Sequence, residues 1–296
     1  MKIFKNDQIL TLFQILLALL GLRYISWVHL EEYIGMDHKN FVFSILGIAT
    51  IIYAGFYLYK IVLQEEYPSK NIIKNIEKAY YYYIGLNALG VIISFFVAES
   101  LQKTYYFGFY LVIVATMYLY VTQWRKIILF DNIVLAFIIT YPIFLQSCFD
   151  LLPTLEFRVH EPKVSFILDF ALIWFVLLWI LFFLRSILHD LIFVQVDIRR
   201  GKKTLATKKG REVGAIRTGY LAILPLAIMF YLTYIYFEAQ IFVVFSSIFM
   251  IIPSLYLITK IRSSRVAEDF IKAKNILNAI IWFSIISIVT LSINLS

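Results

Sequence analysis

Two aspartates and a run of basic residues stand where a long apolar stretch of the sequence ends. Asp190 and Asp197 lie seven residues apart in "LRSILHDLIFVQVDIRRGKKTL", and Arg200, Lys202 and Lys203 follow them. On an α-helix, positions i and i+7 fall on one face, two turns apart. Two carboxylates on one face can bind a hard cation such as Mg²⁺, which keeps coordination positions for phosphate oxygens. The basic side chains would then balance the remaining phosphate charge.

A second interpretation of the same stretch needs no ligand. A helix that leaves the membrane displays ordinary solvated charges, and acidic groups near a membrane indicate a function only where they are buried. His189 adjoins Asp190, but neighbouring side chains on a helix point about 100° apart, so it does not share the face of the aspartates. The spacing alone leaves both interpretations open.

The composition places these residues in a membrane protein. Of the 296 residues, 61% are hydrophobic and only 16% are charged, and the mean hydropathy is +0.82, whereas soluble proteins carry about 25% charged residues. The apolar residues form blocks that reach the roughly 20 residues a spanning helix needs, which suits helices better than the strands of a barrel. The sequence therefore predicts one all-α domain, 1–296, with nine transmembrane helices. Their predicted ranges are 8–27, 41–63, 79–98, 104–123, 127–148, 164–185, 219–237, 241–259 and 275–294.

Lysine and arginine collect in alternate loops of this arrangement. Dense basic runs occupy 199–217 and 260–274, whereas the opposite loops hold mainly acids. The positive-inside rule then predicts a cytoplasmic N-terminus, cytoplasmic basic loops and an outer C-terminus, in a cytoplasmic membrane of the bacterial type. Membrane topology and anionic membrane lipid explain the net charge of +8, so no nucleic-acid partner is expected.

The opening stretch resembles a known motif. "DLIFVQVDIRRGKKTL", residues 190–205, is similar to the second aspartate motif of the UbiA-type intramembrane prenyltransferases, DxxDxxxD followed by a glycine and Thr-Leu. Phe193 stands where the middle aspartate would be. The resemblance implies the nine-helix fold of that family, with cytoplasmic loops after helices two and six. The matching residues are Asp190, Asp197, Gly201, Thr204 and Leu205.

A second segment, "YVTQWRKIILFD" at 120–131, resembles the tyrosine, lysine and aspartate that surround the loop between the family's fourth and fifth helices. The resemblance implies that Tyr120 and Lys126 bind substrate, the lysine through the diphosphate, and Asp131 matches the aspartate. The pair Arg125 and Lys126 would equally serve as a positive-inside anchor.

The sequence departs from the family at the end of the second helix. The family's first motif, NDxxDxxxD, is expected there, but "YLYKIVLQEE" at 57–66 contains neither asparagine nor aspartate. Lys60 stands near the expected metal face, and Glu65 and Glu66 are the only acids. The departure leaves at most one Mg²⁺, held by Asp190 and Asp197, or no metal.

The resemblance implies a divergent prenyltransferase that moves an isoprenyl group from an isoprenoid diphosphate to a lipophilic acceptor. Asp190 and Asp197 would be catalytic and hold Mg²⁺. The missing first motif supports a different class, a degenerate membrane subunit or lipid-binding scaffold with a membrane-protein partner. A small transporter has less support, because the sequence shows no pair of broken helices around a midplane site. The predicted substrate-binding residues are Tyr120, Lys126, Arg200, Lys202 and Lys203.

Overall fold

The fold is known from a computed structural model that describes residues 2–30, 34–66, 73, 75–156, 161–199 and 201–295. Every regular element within these ranges is helical, as the sequence predicts. Short 3₁₀ turns lie at Thr104–Tyr106 and Trp124–Lys126, and a π-helical turn lies at Ser247–Ile251. The α-helices are α1 Lys2–Leu30, α2 His38–Glu66, α3 Ile76–Ser100, α4 Phe107–Thr122, α5 Phe130–Glu156, α6 Glu161–Ile192, α7 Val194–Arg199, α8 Leu205–Leu221, α9 Ile223–Ile235, α10 Gln240–Ser246, α11 Ile252–Ser263 and α12 Ala267–Leu295.

The predicted apolar blocks correspond to long helices. In the described part of the chain, 8 helical segments are long and apolar enough to cross a membrane, and α1 adds a shorter apolar stretch, Leu10–Ser26. The count of nine spanning helices and the orientation of the termini stay predictions. The long segments are His38–Glu66, Ile76–Ser100, Thr104–Thr122, Phe130–Thr154, Val164–Ile192, Leu205–Ile235, Gln240–Ser263 and Ala267–Leu291.

One predicted boundary is wrong. The seventh helix is predicted at 219–237, but the helical segment there begins at Leu205, so most of the predicted loop 186–218 is helix. Hydropathy misses α8 because lysines, arginines and a glutamate interrupt it. A capping signal was nevertheless present: Thr204 accepts a hydrogen bond from the backbone N–H of Thr207, and the Thr207 hydroxyl accepts one from the N–H of Thr204.

Helices α5 and α6 form the centre of the molecule. One buried core joins α2, α3 and α4 to α5, and a second joins α5 and α6 to α1, α8, α9, α10, α11 and α12. Phe137 and Phe144 of α5 pack against both cores. Polar side chains at the ends of α5 and α6 are therefore held by packing on two sides, which fixes their positions.

The crossing of α2 and α3 depends on small residues. A Cβ added at Gly90 would lie 3.1 Å from the carbonyl oxygen of Gly47 and 3.2 Å from the backbone nitrogen of Ile51. Backbone atoms cannot turn aside as a flexible side chain can, and close approach of this kind is typical of membrane helices.

We expect Gly90→Ala to lower the free energy of unfolding by about 1–3 kcal/mol, the usual effect of overpacking. Gly85→Ala is the matched control on the same helix, because a Cβ there meets nothing within 4 Å. Unfolding of both variants in detergent measures the difference. Equal stability of the two variants would contradict the close crossing.

Candidate functional site

Buried polar groups meet at the end of the bundle where α5 begins and α6 ends. The ammonium of Lys202 lies 2.9 Å from Oδ2 of Asp131 and 3.2 Å from Oδ1 of Asp190. The side-chain amide of Asn132 donates to the other oxygen of Asp190 at 3.0 Å, and Ser186 Oγ donates to the Asn132 carbonyl at 2.8 Å. We call Asp131, Asp190, Asp197 and Lys202 the acid cluster. Burial of carboxylates is costly without such partners.

Asp190 and Asp197 do not lie on one continuous helix, so that part of the prediction is wrong. α6 ends at Ile192, and α7 begins at Val194 after an interruption at Phe193. Both aspartates are nevertheless buried, with relative exposures of 5% and 6%. They are related through Lys202, because both carboxylates act electrostatically on its ammonium. The two aspartates are therefore linked by their common interaction with Lys202, and not by a common helix face.

The glycine of the motif turns the chain back toward these acids. Gly201 has φ +66°, its N–H bonds to the carbonyl of Ile198, and the N–H of Lys202 bonds to the carbonyl of Asp197. This pair of bonds is a Schellman motif, in which glycine is favoured because L-residues rarely adopt a positive φ. The Thr207 hydroxyl also donates to the carbonyl of Lys202 at 3.1 Å. Hydrogen bonds to both the N–H and the carbonyl of Lys202 therefore fix its backbone, and with it the direction in which the side chain starts.

The ionisation of Lys202 follows from these neighbours. Burial by itself favours the neutral amine, but the carboxylates of Asp190, Asp131 and Asp197 outweigh it and raise the pKa of Lys202 above its ordinary value. An amine whose folded pKa is raised stays protonated through the whole neutral range. The acid cluster therefore holds a permanent cation.

A second charged group adjoins the acid cluster. Arg125 lies 5.4 Å from the ring centre of Tyr59 and pairs with Glu66 at 2.6 Å between Nη2 and Oε2. Tyr59 in turn lies within electrostatic range of Tyr120, whose buried hydroxyl hydrogen-bonds Asp131. Arg125 itself lies in the turn directly before α5, the helix that carries Asp131.

The other predicted basic residues are less buried. The Lys126 side chain is 64% exposed and pairs with Glu66 at 3.0 Å, and Lys203 is exposed. Lys60, which the sequence places near a metal, is also exposed on α2. Arg200 lies outside the described residues. Of the predicted residues, the structure therefore brings together Tyr120, Asp190, Asp197 and Lys202.

The described side chains do not fit a resident Mg²⁺ ion. Mg²⁺ prefers about six oxygen ligands in octahedral geometry, but one oxygen of Asp190 accepts from Lys202 and the other from Asn132. On α2, the amide of Gln64 bonds the backbone of Ile73, and Glu66 pairs with Arg125. Among the described residues, no group of three or more histidine, cysteine or acidic side chains could hold a metal ion.

Sequence reasoning missed three residues of this site. Asn132 donates to Asp190, Ser186 donates to Asn132, and Arg125 is a cation beside Lys126 whose side chain is only 10% exposed. One signal was visible, because Asp131 and Asn132 interrupt an otherwise apolar block. Asn132 is 58 positions from Asp190 in the sequence, and no pattern in a single sequence reports that contact.

Comparison with known proteins identifies the fold. No family model matches the chain, and no curated protein matches it. A solved structure described as a digeranylgeranylglyceryl phosphate synthase in membranes matches 94% of this chain and 99% of its own, with a TM-score of 0.68 and 15% identity. The chain therefore has the fold of that synthase, and the predicted all-helical membrane fold is confirmed.

Proposed function

We propose that this chain is a UbiA-type membrane prenyltransferase that transfers an isoprenyl group from an isoprenoid diphosphate to a lipophilic acceptor. The observation that carries the proposal is the buried acid cluster at the end of α6 and the start of α5, in a fold shared with a digeranylgeranylglyceryl phosphate synthase. Charged groups buried in a membrane bundle usually mark a functional site, because their desolvation is expensive. The apolar bundle around them suits an isoprenyl chain.

Breaking the allylic carbon–oxygen bond puts negative charge on the leaving diphosphate. Fixed cations near that charge lower the barrier, since they need no reorganisation during the reaction. Arg125 is the best placed, because its planar guanidinium suits two phosphate oxygens and is already held on Tyr59. Lys126, Lys203 and Arg200 supply further positive charge, and Glu66 gives up its cations as the substrate enters.

The diphosphate needs nearby cations, whereas the developing allylic cation needs groups rich in electrons, such as aromatic rings. Tyr59 and Tyr120 present aromatic rings beside the acid cluster, and ring faces stabilise cations. The acceptor then forms a bond to the allylic carbon, and the proton that it loses leaves with the released diphosphate. With the acid cluster on the cytoplasmic side, as the basic loops predict, the diphosphate enters from the cytoplasm and the acceptor enters from the membrane.

Binding of a prenyl diphosphate tests this function directly. Purified protein is expected to bind geranylgeranyl diphosphate and not geranylgeraniol, which lacks the charged group. Arg125→Gln should weaken binding by at least about tenfold, the effect of losing a charge-assisted hydrogen bond of roughly 1.5–3 kcal/mol. Lys208→Ala removes an exposed lysine of α8 and serves as the control.

The outcome that contradicts the proposal is the absence of binding by folded wild-type protein, across diphosphates of several chain lengths. That outcome favours the second candidate, a degenerate subunit or lipid-binding scaffold with a membrane-protein partner. A specific observation supports it: Asp131 and Asp190 already share the cation Lys202, and Arg125 already pairs with Glu66. Such internal pairing is expected in a site that has lost its ligand.

A further inference from the structure

We infer that the ammonium of Lys202 takes the place of a divalent cation, so that this protein binds the diphosphate group without a metal between its carboxylates. This inference rests on the proposed function, because the diphosphate is the ligand that Lys202 would share with the acids. A resident Mg²⁺ is implied for this type of site, but both oxygens of Asp190 already accept hydrogen bonds, from Lys202 and from Asn132.

The position of Lys202 is that of a bridging cation. Its nitrogen lies 2.9 Å from Asp131 and 3.2 Å from Asp190, two buried carboxylates on different helices. The ammonium has three N–H donors, of which these contacts use two. The side chain keeps 36% of its surface exposed, whereas those of Asp131 and Asp190 keep 10% and 7%. A phosphate oxygen can therefore approach the exposed part of this side chain while the ammonium holds Asp131 and Asp190.

A tethered ammonium competes well with free metal. An attached group acts at an effective concentration in the millimolar range for a short flexible linker, and at a higher one when the tether is rigid. Here the Schellman motif at Gly201 and the bond from Thr207 fix the backbone of Lys202. Mg²⁺ must also release bound water before it can take carboxylate oxygens, which it does reluctantly. The intramolecular cation is therefore expected to exclude millimolar Mg²⁺.

The rest of the site agrees with a metal-free arrangement. The metal-binding motif of α2 is missing, and both acids at the end of that helix have partners: Glu66 pairs with Arg125 and Lys126, and Glu65 accepts a hydrogen bond from the Tyr80 hydroxyl. The end of α2 therefore lies beside the cations Arg125 and Lys126 and, in its described residues, lacks free carboxylates that could hold a metal. In this arrangement side chains, Lys202 among them, supply the positive charge that a diphosphate needs.

The first test measures diphosphate binding with and without metal. Wild-type protein should bind geranylgeranyl diphosphate with affinities that differ by less than about threefold between EDTA and millimolar Mg²⁺. Lys202→Met keeps the apolar length of the side chain and frees the carboxylates. It should bind at least about tenfold more weakly in EDTA, and Mg²⁺ should restore most of the loss. Lys202→Arg keeps the charge and should stay insensitive to EDTA.

The second test needs no prenyl diphosphate, so it separates this inference from the proposed function. Mn²⁺ binding is followed by electron paramagnetic resonance in wild type, Lys202→Met, and Lys202→Met with Asp190→Asn. Binding by Lys202→Met alone supports the inference. Two results overturn it: equal Mn²⁺ binding by wild type and Lys202→Met, or no binding by a folded Lys202→Met. If wild type binds no diphosphate under either condition, the proposed function fails while the Mn²⁺ result still decides the role of Lys202.

Discussion

Asp150→Ala is expected to lower the free energy of unfolding by about 3–5 kcal/mol, the cost of leaving a buried charge without its partner. Asp150 and Arg23 form an ion pair at 2.5 Å, and their side chains are only 3% and 7% exposed. Arg23 also donates to the carbonyl of Met36 and lies 5.2 Å from the ring of Phe41. Without the carboxylate, a guanidinium stays desolvated between α1 and α5. Reversible unfolding in detergent gives the value.

Two controls show whether the lost charge is the cause. Removing both charges, with Arg23→Met and Asp150→Leu together, should cost much less than Asp150→Ala, since no unpaired ion remains. Glu212→Ala breaks the pair between Glu212 and Arg265, whose side chains are 65% and 51% exposed, and exposed pairs contribute about 0–1 kcal/mol. A double variant as unstable as Asp150→Ala would attribute the effect to lost packing instead.

The same pair shows what a single sequence can and cannot predict about the fold. Arg23 and Asp150 are 127 positions apart, and each reads in the sequence as a charge near the end of an apolar block. Hydropathy predicts the blocks because every spanning helix must hide its backbone from lipid, and that requirement is local. Which helices meet depends on packing, for example on Gly47 and Gly90 at the crossing of α2 and α3, and hydropathy does not record it.

In the candidate site too, local features could be predicted from the sequence and long-range contacts could not. Asp190, Asp197 and Gly201 belong to a motif, so the sequence alone singles them out, and the structure shows Gly201 as a helix cap. The motif does not predict that Lys202 folds back onto Asp131, because that contact joins elements 71 positions apart, the difference between 202 and 131. The basic run was expected to face phosphate. Its first lysine, Lys202, contacts the acids, since buried carboxylates need the nearest available cation.

Asp190→Asn is expected to lower the rate of prenyl transfer by about 10²–10³-fold, the usual effect of removing one preorganised electrostatic contact. The asparagine keeps the shape of the side chain and loses the charge that holds Lys202. Asp131→Asn should act similarly. The double variant should be little worse than either single variant, because groups that act as a unit are not additive. Release of diphosphate from labelled substrate in vesicles measures the rate.

Ser186→Ala serves as the matched control for these variants, since it removes only the outer bond, from Ser186 to Asn132. Its rate should fall by less than about tenfold, in line with a net hydrogen-bond contribution of about 0.5–1.5 kcal/mol. Asp190→Asn should reduce kcat more than it raises KM, because the contact with Lys202 acts on charge that develops in the transition state. A folded Asp190→Asn protein with wild-type turnover would place the reaction elsewhere, and the acid cluster would then be a structural ion pair that fastens the 201–204 turn to α5 and α6.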